Sequence, residues 1–574
     1  MFGRDEKRVA RKAIGTLLGR LRRDVRGNTL AIMAAAMIPL TAMVGSGVDM
    51  TRAYMAQNRF RQACDAGALA GRRLLAGTTL SANVRAEATK YFEFNFPQGF
   101  FQSTPYTLNM SVPTLGTLKI ESTSAIPTTI MNMFGFQTLP ISASCSATQD
   151  FVGTDIMLVV DMSGSMNCAP GVGGACNNVE AWNSKMSALR TAATSLYDTL
   201  KEAQDQLHAN NLRLRYGFVP YNATINVGRL VYAKNPSYIR TGQYEYNTRR
   251  PKTETVSEWK TRAECTELNG TYFLLWGFIP QCTYSRVSTT EWEYGKFPQD
   301  ISAYVTGASV RTPTSFNASA RSTWAGCIEE RETNSTLVNG GTATTAPSDA
   351  LDLDINRIPD SDASRWAPWW PEVTVRTDGN MYAGPENCAS QASRLREYYN
   401  DKTSFTNYLA SLKPLGSTYH DIGMIWGARF ISPDGIFRSS TPETNDPNDP
   451  DNPKKLRGFN VRKYIIFMTD GDMAPTLNTY STYGVEELDK RVLGTASGST
   501  AQLNRHLQRF RMACNAAKSQ NVEVWVIAFS TTLTADMQRC ASDPSKAAGI
   551  SNTPELIAKF EEIGSKIGSL RLSQ

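Results

Sequence analysis

This chain of 574 residues predicts an α/β fold with a doubly wound, mostly parallel sheet. A single transmembrane helix and a small α+β region precede the sheet, and a large Cys/Trp-rich insertion interrupts it. Three observations carry that expectation. Apolar runs at 156–160, 464–468 and 522–529 alternate with helical stretches, and strands that are apolar throughout belong to parallel sheets covered on both faces. Two of the runs lead into carboxylates, Asp161 and Asp470, and open α/β sheets gather ligand sites at the carboxyl ends of their strands. Ahead of everything that reads as globular lies a charge-free stretch of twenty residues, 29–48.

That stretch, TLAIMAAAMIPLTAMVGSGV, is bounded by Arg26 on one side and by Asp49 and Arg52 on the other. As a helix it spans a hydrocarbon core of roughly 30 Å. A cleaved signal peptide is the rival reading, but the pattern continues as MTRAYMAQNRFRQACDAGALAGRRLL with no small-x-small exit, which favours an uncleaved anchor. Residues 1–28 form a basic tail whose first 27 positions hold nine Lys/Arg against three acids, so the N-terminus is expected to stay cytoplasmic and the bulk to lie beyond the membrane. Of the formal net charge of +7, all but one unit belongs to this tail. The remainder is nearly neutral and gives no basis for nucleic-acid binding. Residues 49–150 read as a helix plus a small sheet: 51–75 continue the first helix, 81–95 form another, and 117–128 and 137–147 are strands.

The strand at 156–160 runs directly into Asp161-Met162-Ser163-Gly164-Ser165. One carboxylate and two hydroxyls on the turn leaving a buried strand are hard oxygen ligands of the kind Mg²⁺ or Ca²⁺ prefers, with positions left open for water or a partner. An ordinary Ser/Gly strand-to-helix turn has the same composition. Residues 182–207 carry Trp182, Met186, Leu189, Ala193, Leu196, Leu200 and Leu207 at helical spacing, and 212–219 read as a strand, closing a first α/β part at 151–234. A second part, 401–574, holds Gly416-Ser417-Thr418 opening a helix, a strand that ends in Thr469-Asp470-Gly471, and a last helix striped by Leu556, Phe560, Ile563, Ile567 and Leu570.

Between these parts, 235–400 is unlike the rest. It holds seven of the ten tryptophans and four of the ten cysteines, a composition that knits loop-rich structure and also anchors interfaces. Trp366, Trp369 and Trp370 are the candidates for an exposed partner-binding patch. The acid-rich loops 349–362 and 445–451 match no EF-hand spacing and are expected to be solvated. All ten cysteines lie beyond the proposed span, an even number suited to disulfides in an oxidising space. Nearest neighbours suggest Cys168–Cys176, Cys265–Cys282 and Cys514–Cys540.

The order D-x-S-x-S, then G-x-T, then T-D-G resembles the von Willebrand factor type A (VWA) domain, a Rossmann-like fold. The resemblance implies a metal-ion-dependent adhesion site (MIDAS) made by Asp161, Ser163, Ser165, Thr418 and Asp470, holding Mg²⁺ (or Ca²⁺ or Mn²⁺) and completed by a carboxylate from a protein partner. Thr418 lies almost two hundred residues beyond the strand at 212–219, so the domain is split by the insertion. Hydrolysis would need a base beside a metal-bound water. Of the three histidines, His208, His420 and His506, only His420 is near a motif, and it reads as a helix N-terminal residue with a solvent or backbone partner. Binding is therefore expected rather than catalysis.

The stretch RGNTLAIMAAAMIPL through GVDMTRAYMAQNRFRQACDAGALA resembles the N-terminal segment of TadG-like proteins of the Tad (tight adherence) system, which assembles Flp pili in bacteria. Together the two resemblances imply a single-pass protein of the bacterial inner membrane with a periplasmic bulk. It would act as a metal-dependent protein-binding component of pilus assembly, with other assembly components as partners. A surface-exposed adhesin that binds host or matrix ligands through the VWA domain and its insertion is the alternative.

Overall fold

The computed structural model describes residues 25–75, 80–113, 116–149, 152–337, 344–377, 380–382, 388–568 and 572–573. The chain divides into two compact units, one reaching Phe151 and including the last five residues, the other Val152–Ser569. Most of the basic tail from which orientation is read, residues 1–24, lies outside the described residues.

In the first unit, α1 (Val25–Leu74) is a helix of 50 residues. It is long and apolar enough to cross a membrane. Ile32, Met37, Leu40, Met43 and Val44 stand exposed on its first half, whereas Ala56, Phe60, Ala63, Cys64 and Ala68 on its second half are buried. That three-and-four spacing turns one stripe onto α2 (Ala82–Asn95) and onto a sheet of β1 (Asn109–Ser111), β2 (Thr117–Pro127) and β3 (Thr138–Gln149). The strands are antiparallel in the order β1-β2-β3, with a short strand, Leu572–Ser573, beside β3. Ser81 caps α2 by accepting from the Val84 N–H, and the Cys64–Cys145 disulfide ties α1 to β3.

Along the second unit come β4 (Thr154–Asp161), α3 (Lys185–Thr199), α4 (Lys201–Ala209) and β5 (Leu214–Tyr221). A long antiparallel hairpin follows, made of β6 (Gln243–Glu258), β7 (Thr271–Leu275) and β8 (Ile279–Asp300). The chain then forms β9 (Ser393–Glu397), α5 (Lys402–Ser411), α6 (His420–Ile431), β10 (Arg462–Thr469) and α7 (Ser499–Ser519). It closes with β11 (Val522–Phe529), α8 (Ala535–Cys540), β12 (Ala547–Ile550) and α9 (Thr553–Gly568).

Six strands form the central sheet in the order β9-β5-β4-β10-β11-β12, all parallel except the edge strand β9. Numbered along the sheet alone this is 3-2-1-4-5-6, the doubly wound order, and its direction of growth reverses between β4 and β10. Met157, Val159, Ile465, Phe467, Val524 and Val526 pack in one core with α6 and α7. Their alternate neighbours Ile156, Leu158, Ile466 and Met468 point to the opposite face by the strand's period of two and are equally buried, so both faces are covered. Trp182, expected in a helical stripe, instead precedes α3 and is 90% exposed.

The insertion is not a separate body. β9, within the stretch expected to be insertion, is the third strand of the central sheet. Trp366, Trp369 and Trp370, expected at a partner surface, are core residues instead. Trp369 stacks on Tyr480 and Trp370 on Tyr304, while Trp366 packs against Trp426 of α6 and donates its indole N–H to Glu330. Large flat rings fill the space between a sheet-covering helix and the irregular chain that packs on it, alongside Ile239, Tyr304, Ile328 and Leu353 in the same core. Nor is 349–362 solvated throughout, since Asp352 is fully buried against Tyr483 and Arg509. The three suggested disulfides form, joined by Cys64–Cys145 and Cys327–Cys388.

Candidate metal centre

Asp161 ends β4 and Thr469 ends β10, adjacent strands at the point where the sheet reverses, so Asp161 and Asp470 enter one crevice. Backbone bonds lace the loops around it. Leu415 N–H donates to Met162 O at 2.7 Å, Gly164 N–H to Gly416 O at 2.9 Å, and Ala474 N–H to Thr418 O at 2.9 Å. Asn167 adds a side-chain tie by donating to Pro414 O at 3.1 Å. On the outer side Ala175, within the loop closed by Cys168–Cys176, lies so near Gly164 that a Cβ there would stand 2.9 Å from the alanine methyl.

Asp161 is fully buried and both its oxygens accept: Oδ1 from the Ser163 N–H at 2.8 Å and Oδ2 from the Thr469 hydroxyl at 2.7 Å. The Ser163 and Ser165 hydroxyls are 2.9 Å apart, and both donate to Asp470 Oδ1, at 3.3 and 3.0 Å. The other oxygen of Asp470 accepts from the Lys185 ammonium at 2.9 Å, an ion pair closed off from solvent. Burial, with the Asp470 carboxylate close by, pushes the Asp161 carboxyl well above the usual carboxylate range. A Cβ on Gly471 would stand 3.7 Å from Thr418 Oγ1 and 4.0 Å from Ser165 Oγ, so the glycine opens space between those two hydroxyls.

All five residues named from the sequence therefore converge. Two features of the site escaped sequence reading. Lys185 opens α3 directly after its capping Ser184 and is buried. It falls on the stripe of Leu189, Ala192 and Leu196, which was the available signal, but a lysine in a helix's first turn reads as solvated surface. His420 does begin a helix and has the Gly471 backbone as a partner, and a side chain joins it: Nε2 lies 2.9 Å from Thr469 Oγ1. With the threonine proton directed to Asp161, this contact assigns the Nε2–H tautomer, and burial lowers the imidazole to about 4.

A 3-2-1-4-5-6 sheet whose D-x-S-x-S loop, Thr418 and Asp470 meet at the switch point defines a VWA-type α/β domain. Residues 27–82 match the family model described as Flp pilus-assembly TadE/G-like. No curated protein matches the sequence. Among solved structures, the chain is similar to the pilus adhesin SpaC from Lactobacillus rhamnosus GG, with 10% identity, a TM-score of 0.30 and coverage of 81% of this chain but 34% of that one. It thus spans about a third of that relative's length. It is also similar to the PilB minor pilin from Streptococcus sanguinis, with 9% identity, a TM-score of 0.30, and 82% and 79% of the two chains covered. The vWF domain of the type V pili tip protein Mfa5 from Porphyromonas gingivalis is a third, with 9% identity, a TM-score of 0.29, and 74% and 98% covered.

Proposed function

We propose that this is a single-pass protein of the bacterial inner membrane whose periplasmic VWA domain captures a carboxylate of another pilus-assembly component through a divalent cation. One observation carries the reading: two carboxylates and three hydroxyls from three separate loops meet where the sheet reverses. The donor set fits a hard cation, since every donor is an oxygen. The Lys185 ammonium pairs with Asp470, whereas Asp161 is buried beside that pair with the neutral donors Ser163 N–H and Thr469, a setting in which a cation would favour its charged form. Asp161, Ser163, Ser165, Thr418 and Asp470 would hold Mg²⁺ (or Ca²⁺ or Mn²⁺). The bound ion would supply an open coordination position suited to a partner's carboxylate.

The remaining work belongs to the chain's own groups. Ser163 N–H and Thr469 fix both oxygens of Asp161, Lys185 orients Asp470, and the backbone lacing holds the loops in register. The histidines support binding over hydrolysis. His420 Nε2 is committed to Thr469, and His506 is paired with buried Asp421. The anchor reading rests on α1 and on the nine-to-three basic excess of the tail.

The test is capture from membranes by the full-length protein, with Mg²⁺ or with chelator. Partner recovery should need Mg²⁺ and should vanish in Asp161→Ala while the circular dichroism spectrum stays unchanged. Recovery that persists in the variant under chelation sinks the metal reading.

A second reading, a surface adhesin, is favoured by a different observation. Trp259, Trp276 and Phe278 on and beside the β7–β8 hairpin are exposed by 61, 77 and 72%. Trp276 is held at φ +52, a left-handed position that bulky residues rarely take. Protease added to intact cells separates the readings, because cleavage of the hairpin requires surface exposure.

A further inference from the structure

We infer that Ile130–Phe136 is a foot that enters the outer interface of the bilayer beside α1, so that the first unit grips the membrane at two places. The inference rests on reading 29–48 as a membrane span. On α1, Met43, Val44, Val48 and Met50 are exposed, yet Gly45 and Asp49, one turn apart, are buried. Their cover is the turn between β2 and β3. A Cβ on Gly45 would collide with the Ile130 side chain. The Asp49 carboxylate accepts from three consecutive backbone N–H groups, those of Thr129 at 3.0 Å and of Ile130 and Met131 at 2.8 Å. A carboxylate on the first N–H groups of the short helical turn Met131–Phe134 pins that turn to the helix face.

The depth follows from helix geometry. Gly45 lies three residues inside the end of the charge-free stretch, about 4.5 Å toward the membrane interior at a rise of roughly 1.5 Å per residue. A segment packed on Gly45 shares that depth. Its composition agrees, since there is no charged residue anywhere from 122 to 149. Met133, Phe134 and Phe136 are exposed by 84, 43 and 60%, and they extend the apolar surface of the span sideways. Lipid is the occupant this continuity selects, because the neighbouring surface of α1 already faces it.

Every cysteine of the chain is engaged in one of the five disulfides, so one introduced cysteine is the sole free thiol. Met133→Cys, Val44→Cys and Trp182→Cys are each spin-labelled in the full-length protein in liposomes, and collision with oxygen is compared with collision with a water-soluble nickel chelate. The label at 133 should favour oxygen several-fold, as at 44, whereas the label at 182 should favour nickel. Nickel preference at 133 with oxygen preference at 44 overturns the foot and leaves the span. Nickel preference at both overturns the span and the foot together. Shielding of 133 from both reagents means a protein covers the segment, and that too overturns the lipid contact.

Discussion

Lys185 is the residue on which the proposed metal site turns. Its ammonium is 2.9 Å from Asp470 and almost wholly buried, so a divalent ion beside Asp470 has a fixed positive charge for a neighbour. Even at an effective dielectric of about 20, charges a few ångströms apart interact by several kcal/mol. Lys185→Met should therefore tighten Mg²⁺ or Mn²⁺ binding by at least about tenfold, each factor of ten being about 1.4 kcal/mol, as read by calorimetry on the full-length protein. Without metal the same change leaves Asp470 unpaired, at a cost of about 3–5 kcal/mol, so the melting temperature in chelator should fall while the gain on adding Mg²⁺ grows. Weaker metal binding in the variant would refute this account. At the other end of the sheet Asp155 is buried, which alone would raise its carboxyl, but Arg215 at 2.7 Å and Lys463 at 3.1 Å outweigh burial and hold it far below the usual range. A depressed carboxylate contributes stability that is fully present above its unfolded value, about 3.9, and is lost as the pH falls below that toward the folded value. The melting temperature should accordingly drop more steeply on acidification below about pH 4 in the native protein than in Asp155→Asn.

At the scale of elements, α6 is the helix whose seating decides whether Thr418 reaches the site. Gly423 and Gly427, one turn apart, face the sheet, and a Cβ on either would strike Tyr221 or Val159. Gly427→Ala should destabilise by about 1–3 kcal/mol through overpacking and weaken metal binding with it. Gly173→Ala, where a Cβ meets nothing within 4 Å, should be neutral in both assays. The elements themselves were largely legible in the sequence. Apolar runs marked β4, β10 and β11 because a strand buried on both faces admits few polar residues. The two-residue strands and β9, on a sheet edge and with Arg394, Arg396 and Glu397 among its five residues, carry no such signature. Hydrophobic pattern reports burial, and an edge is only partly buried.

For the whole molecule, the central fact is that the insertion shares the core of the domain it interrupts. Glu330 accepts from Trp366 and Trp426 and is paired with Arg429 of α6, all within buried surroundings. Removing one partner from such a group leaves an uncompensated charge, so Glu330→Ala should cost about 3–5 kcal/mol. Because the core is continuous, calorimetry should find Val152–Ser569 melting in a single transition in both proteins; a separate low-temperature transition of the insertion would contradict a shared core. The sequence by itself determined the long apolar helix, the α/β character and the five residues that meet where the sheet reverses. Those are local matters: a hydrocarbon core sets a length, burial on two faces sets a composition, and hard cations set a ligand type. Only the tertiary structure decided that Lys185 points at Asp470, that three tryptophans are core rather than surface, and that Ile130–Phe136 lies against Gly45 and Asp49. Each of these joins residues far apart in the chain, and which charge or ring ends up buried depends on what the fold brings against it, which no local pattern encodes.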